Sequence, residues 1–173
     1  MKAISDVRVA RSFVGGAAST IEAIEIDFNL STREALRIYG VLGNIRVADG
    51  VVPTLVETGG RIWDQSLHLE EGTVETLNTA GATADQFEND SEVIYHQYWA
   101  MHLYGIAVAS GGLGLTQSPA GLVTFPEPIL SVVNPTHRVS SDEEEAGYEL
   151  LIYYDYVEMN DSELALAFAR RRR

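Results

Sequence analysis

The segment from Tyr148 to Val157, which reads YELLIYYDYV, carries the strongest structural signal in the chain. Its side chains alternate with a period of two, so that one face receives Tyr148, Leu150, Ile152, Tyr154 and Tyr156 and the other receives Glu149, Leu151, Tyr153, Asp155 and Val157. This period is typical of a β-strand, and aromatic and branched residues fit a pleated surface that packs on both faces. The sequence therefore predicts a strand over 148–157.

Outward from this strand, the rest of the chain reads as further short strands. Alternating or apolar runs bounded by glycine, proline and polar residues predict them over 7–14, 22–28, 35–47, 51–56, 62–69, 91–109, 122–125 and 132–139, the last formed by 132–133 together with 136–139. Gly40 and Gly43 interrupt the run 35–47 and indicate a bent strand. Pro126 and Pro128 confine their segment to a sheet edge or a loop. A helix beginning at Ser91 competes with a strand there, but apolar residues on both faces favour a central strand.

Two stretches have the spacing of a helix N-terminus. Ser31 with Glu34 matches a capping box, which predicts one helical turn before the strand 35–47. Asn160 with Glu163 has the same spacing, and Leu164 and Phe168 follow four residues apart on one helical face. The second stretch therefore predicts a short C-terminal helix.

These elements predict an all-β fold. About eight short strands separated by glycine- and proline-marked turns favour an antiparallel sandwich or barrel, closed by the short helix. The length of 173 residues predicts a single domain over 1–173. We expect no signal peptide in residues 1–14 and no membrane-spanning helix, because no apolar run reaches 18 residues.

Composition excludes several classes of function. The chain has no cysteine, so disulfides, zinc–thiolate sites and iron–sulfur clusters are excluded. It has 25 acidic and 12 basic side chains and a formal net charge of −13. A body this acidic repels phosphate backbones, so we expect no nucleic-acid partner.

The histidines give no clear metal site. His96 and His102 lie six residues apart, which in a strand separates them by about 20 Å, too far to share a metal. His68 and Glu70 could share a strand face, but they would need a third ligand from elsewhere. The acidic run 142–145 lacks the ligand spacing of a calcium loop, and the glycine-rich run 111–114 lacks the lysine of a phosphate loop. We therefore expect no catalytic residue, no metal site, no cofactor and no enzymatic activity.

The sharpest electrostatic feature is the C-terminal run Arg170, Arg171, Arg172 and Arg173. Cations at a helix C-terminus complement the helix dipole, so this tail is either a solubilising helix end or a contact surface. Each basic residue near an anionic membrane contributes about 1 kcal/mol. The four arginines are therefore candidate contacts to anionic lipid or to the acidic face of a partner protein.

The order of the pieces carries a family resemblance. The pieces are the strand 22–28 with LSTRE at 30–34 and the run 35–47, then 62–69 with EEG at 70–72 and DSEVIY at 90–95, and finally 148–158 with 160–173. In this order the chain resembles the single jelly-roll capsid proteins of tailless icosahedral viruses with an internal membrane. Among them it is most similar to the smaller major capsid protein of Thermus phages, a family whose relatives infect haloarchaea.

The resemblance implies a building role. Such proteins are single jelly-roll barrels that stand upright on the capsid, pair with a larger single-barrel major capsid protein and form capsomers over the viral membrane. It implies a place in the virion shell for a protein made in the host cytoplasm, and it supplies no catalytic residues.

Strand edges predict self-association. An exposed edge can pair with another copy, and glycines at 15 and 16 would let the strand 7–14 cross to a neighbour. We therefore expect a homodimer that can be strand-exchanged. Two alternatives stay open: a carbohydrate- or ligand-binding sandwich that uses Trp63, Trp99 and the tyrosines as a platform, and a cupin-like metalloenzyme with at least three clustered ligands.

Overall fold

The computed structural model describes residues 1–16, 20–47, 61–69, 93–101, 120–141 and 146–171. The elements within these ranges are β1 (Lys2–Ala3), β2 (Arg8–Gly16), β3 (Thr20–Glu25), β4 (Glu34–Val47), β5 (Arg61–His68), β6 (Val93–Met101), β7 (Gly121–Ser131), β8 (Thr136–Ser141), β9 (Ala146–Glu158) and α1 (Asp161–Arg171). The all-β prediction with a short C-terminal helix is confirmed. The predicted strand 51–56 and residues 102–109 lie outside the described ranges.

The strands form two antiparallel sheets. Sheet A has the order β2-β9-β4-β7, with β1 also paired to β9, and sheet B has the order β3-β8-β5-β6. Four of the pairs are nested along the chain: β2 with β9, β3 with β8, β4 with β7, and β5 with β6. The first half of the chain thus pairs back on the second half, and neighbouring pairs fall alternately into the two sheets.

β9 lies inside sheet A, between β2 and β4, which explains its unbroken apolar alternation. Tyr148, Leu150 and Ile152 on its inner face are fully buried. In β4 the pairing shifts register between Ile38 and Gly40, against both β7 and β9. The irregularity that glycine predicted in this strand is therefore present.

In the described part of the chain, the interior has two apolar clusters, each built from both sheets. One contains Leu36, Ile38 and Val41 of β4 with Leu67 and Tyr95 of sheet B. The other contains, among others, Val14, Ile45, Trp63, Trp99, Val139 and Tyr148. A layer of polar side chains, described below, separates the two clusters.

The C-terminal helix begins with the predicted capping box. The Glu163 N–H donates to Asn160 Oδ1 (2.9 Å), and the Asn160 N–H donates to Glu163 Oε2 (3.0 Å). Leu164 packs against Ala35 and Val157, which are fully buried, so α1 covers one end of the outer face of sheet A.

The predicted strand 22–28 is wrong beyond Glu25. The Ile26 N–H donates to the Pro135 carbonyl oxygen, and the Phe28 N–H donates to the Asn134 side chain at 3.1 Å. The side-chain oxygen of Asn134 thus takes the place of the backbone carbonyl that a further pair in the β-ladder would supply. At Asn29 the backbone turns through a positive φ of 51°.

The predicted helical turn at 31–34 is a hydrogen-bonded turn and not a helix. The Ser31 N–H donates to Glu34 Oε2 (3.0 Å) and the Glu34 N–H donates to the Ser31 carbonyl (3.1 Å), but Glu34 is already the first residue of β4. Residues 132–133 form a bend between β7 and β8 and are not part of a strand.

The helix alternative at Ser91 is wrong, because residues 93–101 form β6. Among the described strands β6 lies at the edge of sheet B and has a partner, β5, on one side. Its exposed Tyr98 fits an edge. The edge position predicted for the proline segment agrees with β7, which ends the order of sheet A among the described strands.

The N-terminal strand begins at Arg8 and ends at Gly16, two residues later than predicted. It pairs with β9 of the same chain, and Gly15 and Gly16, the expected hinge, lie opposite Gly147 and Ala146. The two glycines therefore belong to the strand, because their positions in the ladder are still paired.

Candidate functional site

The inside of the sandwich holds five polar side chains between the two apolar clusters. We call this set the polar layer, and it consists of Ser12, Gln65, Tyr95, Gln97 and His137. Ser12 and His137 Nδ1 are 2.8 Å apart, and His137 Nε2 is 3.2 Å from Gln65 Oε1. Because the amide oxygen can only accept, His137 carries its proton on Nε2 and accepts at Nδ1 from the Ser12 hydroxyl.

The chain of hydrogen bonds continues to the far edge of sheet A. Gln65 Nε2 donates to Gln97 Oε1 at 2.7 Å. The Tyr95 hydroxyl donates to the same oxygen (3.1 Å) and to the carbonyl oxygen of Gly121 (2.9 Å), sharing its one proton between them. The polar layer thus runs from β2 through sheet B to β7, and it links the two edge strands of sheet A.

Gly43 of β4 makes room for this layer. A Cβ at this position would collide with the Tyr95 hydroxyl and with Gln97 Oε1, and would lie 2.8 Å from Gln65 Nε2. The close approach of the polar side chains to the β4 backbone therefore requires glycine.

The polar layer is uncharged at neutral pH. Burial lowers the pKa of His137 to about 3 and raises the pKa of Tyr95 to about 12. A general base works best when its pKa lies near the operating pH, so His137 is a poor base for the Ser12 hydroxyl. The arrangement suits a brace that holds two sheets in register better than it suits an active site.

A second group of polar side chains lies on the outer face of sheet B. The register places Ser66 opposite both His96 and Arg138. Asp64 Oδ1 is 3.2 Å from His96 Nε2, and Ser66 Oγ is 2.7 Å from His68 Nε2. Asp64, Ser66 and His68 are buried, so these contacts give hydrogen-bond partners to polar atoms that the fold removes from water.

The described residues bring together no three histidine or acidic side chains that could hold a metal ion. Of the four histidines, His68, His96 and His137 lie in strands, and His137 points inward while His68 and His96 lie on the opposite face of sheet B. His102, Glu70, the acidic run 142–145 and the glycine-rich run 111–114 lie outside the described ranges.

The two tryptophans do not form an exposed platform. Trp63 and Trp99 are opposite each other on β5 and β6, their ring centroids are 5.1 Å apart, and both are buried. Tyr98 and Phe13 are exposed, but they lie in different sheets. The platform proposed for a sugar-binding module is therefore wrong for Trp63 and Trp99.

Sequence reasoning missed a charged cluster on the outer face of sheet A. Arg37 Nε donates to Asp155 Oδ1 at 2.8 Å and the Tyr39 hydroxyl donates to Asp155 Oδ2 at 3.0 Å. The hydrogen bond from Arg37 holds the pKa of Asp155 below its ordinary value although the carboxylate is buried. The available signal was Asp155 between Tyr154 and Tyr156 in a strand with apolar residues on both faces, since a buried carboxylate requires a partner.

The predicted contact residues lie at the end of α1. Arg170 and Arg171 are the last two residues of the helix, while Arg172 and Arg173 lie outside the described ranges. The opposite end of α1 is held in place by the ion pair between the Met1 amine and Glu163 and by Arg33, 3.2 Å from Asp161.

No helix within the described ranges combines the length and the apolar composition that crossing a bilayer requires. Comparison with models of known protein families gave no match, and comparison with curated proteins gave none either.

Proposed function

We propose that this chain is a virion structural protein: a small major capsid protein with a single jelly-roll fold. It assembles with itself and with a larger single-barrel capsid protein into an icosahedral shell over an internal membrane. It performs no reaction. Its place is the virion, after synthesis in the host cytoplasm.

The observation that carries the proposal is the strand order. The nested pairs β2–β9, β3–β8, β4–β7 and β5–β6, divided between two four-stranded orders, are those expected when a long antiparallel ribbon folds into a jelly roll. Double-sheet jelly rolls are found in viral capsid and lectin domains and in cupins. The strand order is thus compatible with all three classes of protein that the sequence left open. The side chains distinguish among these classes.

The side chains favour the structural class. A lectin-like module needs exposed aromatic side chains, yet Trp63 and Trp99 are buried against each other. A cupin-like enzyme needs metal ligands that converge inside the barrel, whereas the inner face carries the polar layer around His137, whose members bond to one another. A braced interior with a low-pKa histidine suits a protein that must keep its shape.

The proposed partners are inferred from the charge of the run 170–173 and from the position of β2 at the edge of sheet A. The homodimer of the proposal uses the free side of β2, with strand exchange as one route, because β2 is an edge of sheet A. The run 170–173 is proposed to contact anionic lipid or an acidic partner, since it holds four of the 12 basic side chains of a chain with a net charge of −13.

Assembly on a membrane tests the proposal. The full chain is incubated with vesicles of phosphatidylcholine and phosphatidylglycerol and examined by electron microscopy, while a glycan array is probed with the same preparation. The proposal predicts ordered protein arrays on the vesicles and no glycan binding. Bare vesicles together with saturable binding to a defined glycan would overturn it in favour of the lectin-like class.

A further inference from the structure

We infer that the outer face of sheet A is a contact surface between two copies of this chain. The surface, called here the outer band, consists of Val9, Phe13, Leu42, Leu122, Leu151 and Tyr153. The register sets Leu151 opposite both Arg11 and Leu42, and Leu42 in turn opposite Leu122. Tyr153 lies opposite Val9 in the next row, so the band crosses all four strands from β2 to β7.

The outer band is open to water in the single chain. Val9 is 54 % exposed, Phe13 59 % and Leu122 60 %, and these three lie on the two edge strands. Leu42, Leu151 and Tyr153 between them are partly buried. Contiguous exposed apolar patches of this kind typically mark interaction sites.

The same face is covered further along. At its other end Ala35 and Val157 are fully buried, because α1 packs there through Leu164. The part of the sheet face that α1 covers ends near Arg37 and Asp155. The outer band begins in the next rows of the sheet. The fold therefore buries one half of an apolar sheet face with its own helix and leaves the other half for a partner.

The charges identify that partner. Beside the band lie the pair Arg11–Glu149, the cluster of Arg37 with Asp155, and the exposed Arg46. This face thus combines three guanidinium groups with two carboxylates, whereas the whole chain has a net charge of −13. Two acidic copies would repel each other through most orientations, whereas this group of charges has one more positive than negative member, so contact here avoids the acidic excess of the rest of the chain.

The area suits a weak dimer. β2, β9 and β4 share nine rows, or about 30 Å, and β7 pairs along only five of these rows. The face therefore measures roughly 500 Å², and two copies would bury roughly 1,000 Å² in total, which is the size of a weak interface. The arrangement also matches interface anatomy, with leucine and tyrosine in the centre and paired arginines at the rim. A second copy related by a twofold axis fits, because each chain then offers the same surface.

This inference rests on the self-association included in the proposed function, and it places the contact on the outer band instead of on the free side of β2 or in an exchanged strand. Exchange of β2 would leave β7 on its own chain, so Leu122 would not contribute to an exchanged dimer. Face-to-face contact places Leu122 at the interface. A glutamate at this position would place an unpaired negative charge in the contact surface.

Sedimentation of the full chain tests the inference, with Leu122→Glu as the variant and Ile24→Glu as the control, since Ile24 is an exposed apolar side chain in sheet B. The native chain and Ile24→Glu are expected at about twice 18.9 kDa, and Leu122→Glu is expected to weaken the dimer at least about tenfold. Circular dichroism confirms that the variants are folded.

A native chain that stays monomeric, a dimer that survives Leu122→Glu, or a dimer lost equally in Ile24→Glu would overturn the inference. None of these results decides whether the chain forms arrays on vesicles, so this inference and the proposed function can fail separately.

Discussion

The Ser12 hydroxyl of β2 donates to His137 Nδ1 of β8 at 2.8 Å, and this hydrogen bond joins the edge of sheet A to the interior of sheet B. Both residues are buried. A buried hydrogen bond between strands that are 125 positions apart in the sequence fixes how the two sheets face each other.

Replacing Ser12 by alanine should destabilise the fold. The buried Nδ1 of His137 would lose its donor, which costs about 1–3 kcal/mol. Chemical denaturation measures the difference in free energy of unfolding. Ser162→Ala, at an exposed position in α1, is the control and should change stability by less than about 0.5 kcal/mol. Equal effects of the two substitutions would contradict the role of the polar layer.

Replacing Gly43 by alanine should be more disruptive than replacing Gly15. A Cβ at position 43 meets the Tyr95 hydroxyl and Gln65, while a Cβ at position 15 meets nothing within 4 Å. Overpacking a closed interior costs about 1–3 kcal/mol, and the open position should tolerate alanine. Thermal unfolding of both variants checks this, and a Gly43→Ala protein as stable as Gly15→Ala would show that β4 does not approach the polar layer.

His137 should make the fold acid-sensitive. Its pKa is lowered in the folded chain from 6.5 to about 3, so the unfolded chain binds the extra proton first. The stabilisation is complete above pH 6.5 and is lost as the pH falls from there toward 3. We expect His137→Gln to have a flatter stability profile between pH 6.5 and 4.5 than the native chain. Identical slopes in denaturation series over this range would rule out burial of a neutral His137.

Replacing Arg37 should lower the free energy of unfolding, because the buried carboxylate of Asp155 would lose its charged partner. That carboxylate is 3 % exposed and its pKa is lowered mainly by the hydrogen bond from Arg37. Arg37→Met should cost roughly 1–3 kcal/mol near neutral pH, because a buried carboxylate loses its charged partner at a partly exposed site. Because Arg37 lowers the pKa of Asp155 in the folded chain, the stabilisation is lost as the pH falls below the ordinary aspartate range and Asp155 becomes protonated, so the difference should shrink in acid.

A matched control exists in the exposed pair of Arg33 with Asp161. Arg33→Met should change stability by less than about 1 kcal/mol, because exposed ion pairs are weak. If both arginine variants lose the same stability, Asp155 does not depend on Arg37.

The C-terminal arginines should govern binding to anionic membranes. Changing residues 170–173 to glutamine removes four positive charges, each contributing about 1 kcal/mol near an anionic surface. Flotation with phosphatidylglycerol vesicles should show strong loss of binding for this variant, and binding of the native chain should fall with added salt. Equal flotation of both proteins would assign the tail to another role.

The strands were predictable because their signal is local. The period of two in 148–157 and the glycine in β4 mark a packed strand and a bulge without reference to any other part of the chain. The capping box at Asn160 and Glu163 is local in the same way.

The polar layer was not predictable, because only the register brings its members together. Gln65 and Gln97 are 32 positions apart and bond because β5 lies beside β6. The burial of Trp63 depends on the same pairing, since it faces Trp99 inside the sandwich. Trp63 and Trp99, which the sequence left available for a ligand, thus pack against each other in a contact that a single sequence does not reveal.

The most direct test of the central claim is the protein content of virus particles released by a culture that carries this gene. Particles are purified by density gradient and their proteins identified and counted by mass spectrometry. The account predicts that this chain is among the most abundant proteins of the particle and co-migrates with infectivity and with a larger capsid protein. A chain that stays in the soluble cell fraction and is absent from the particles would contradict it.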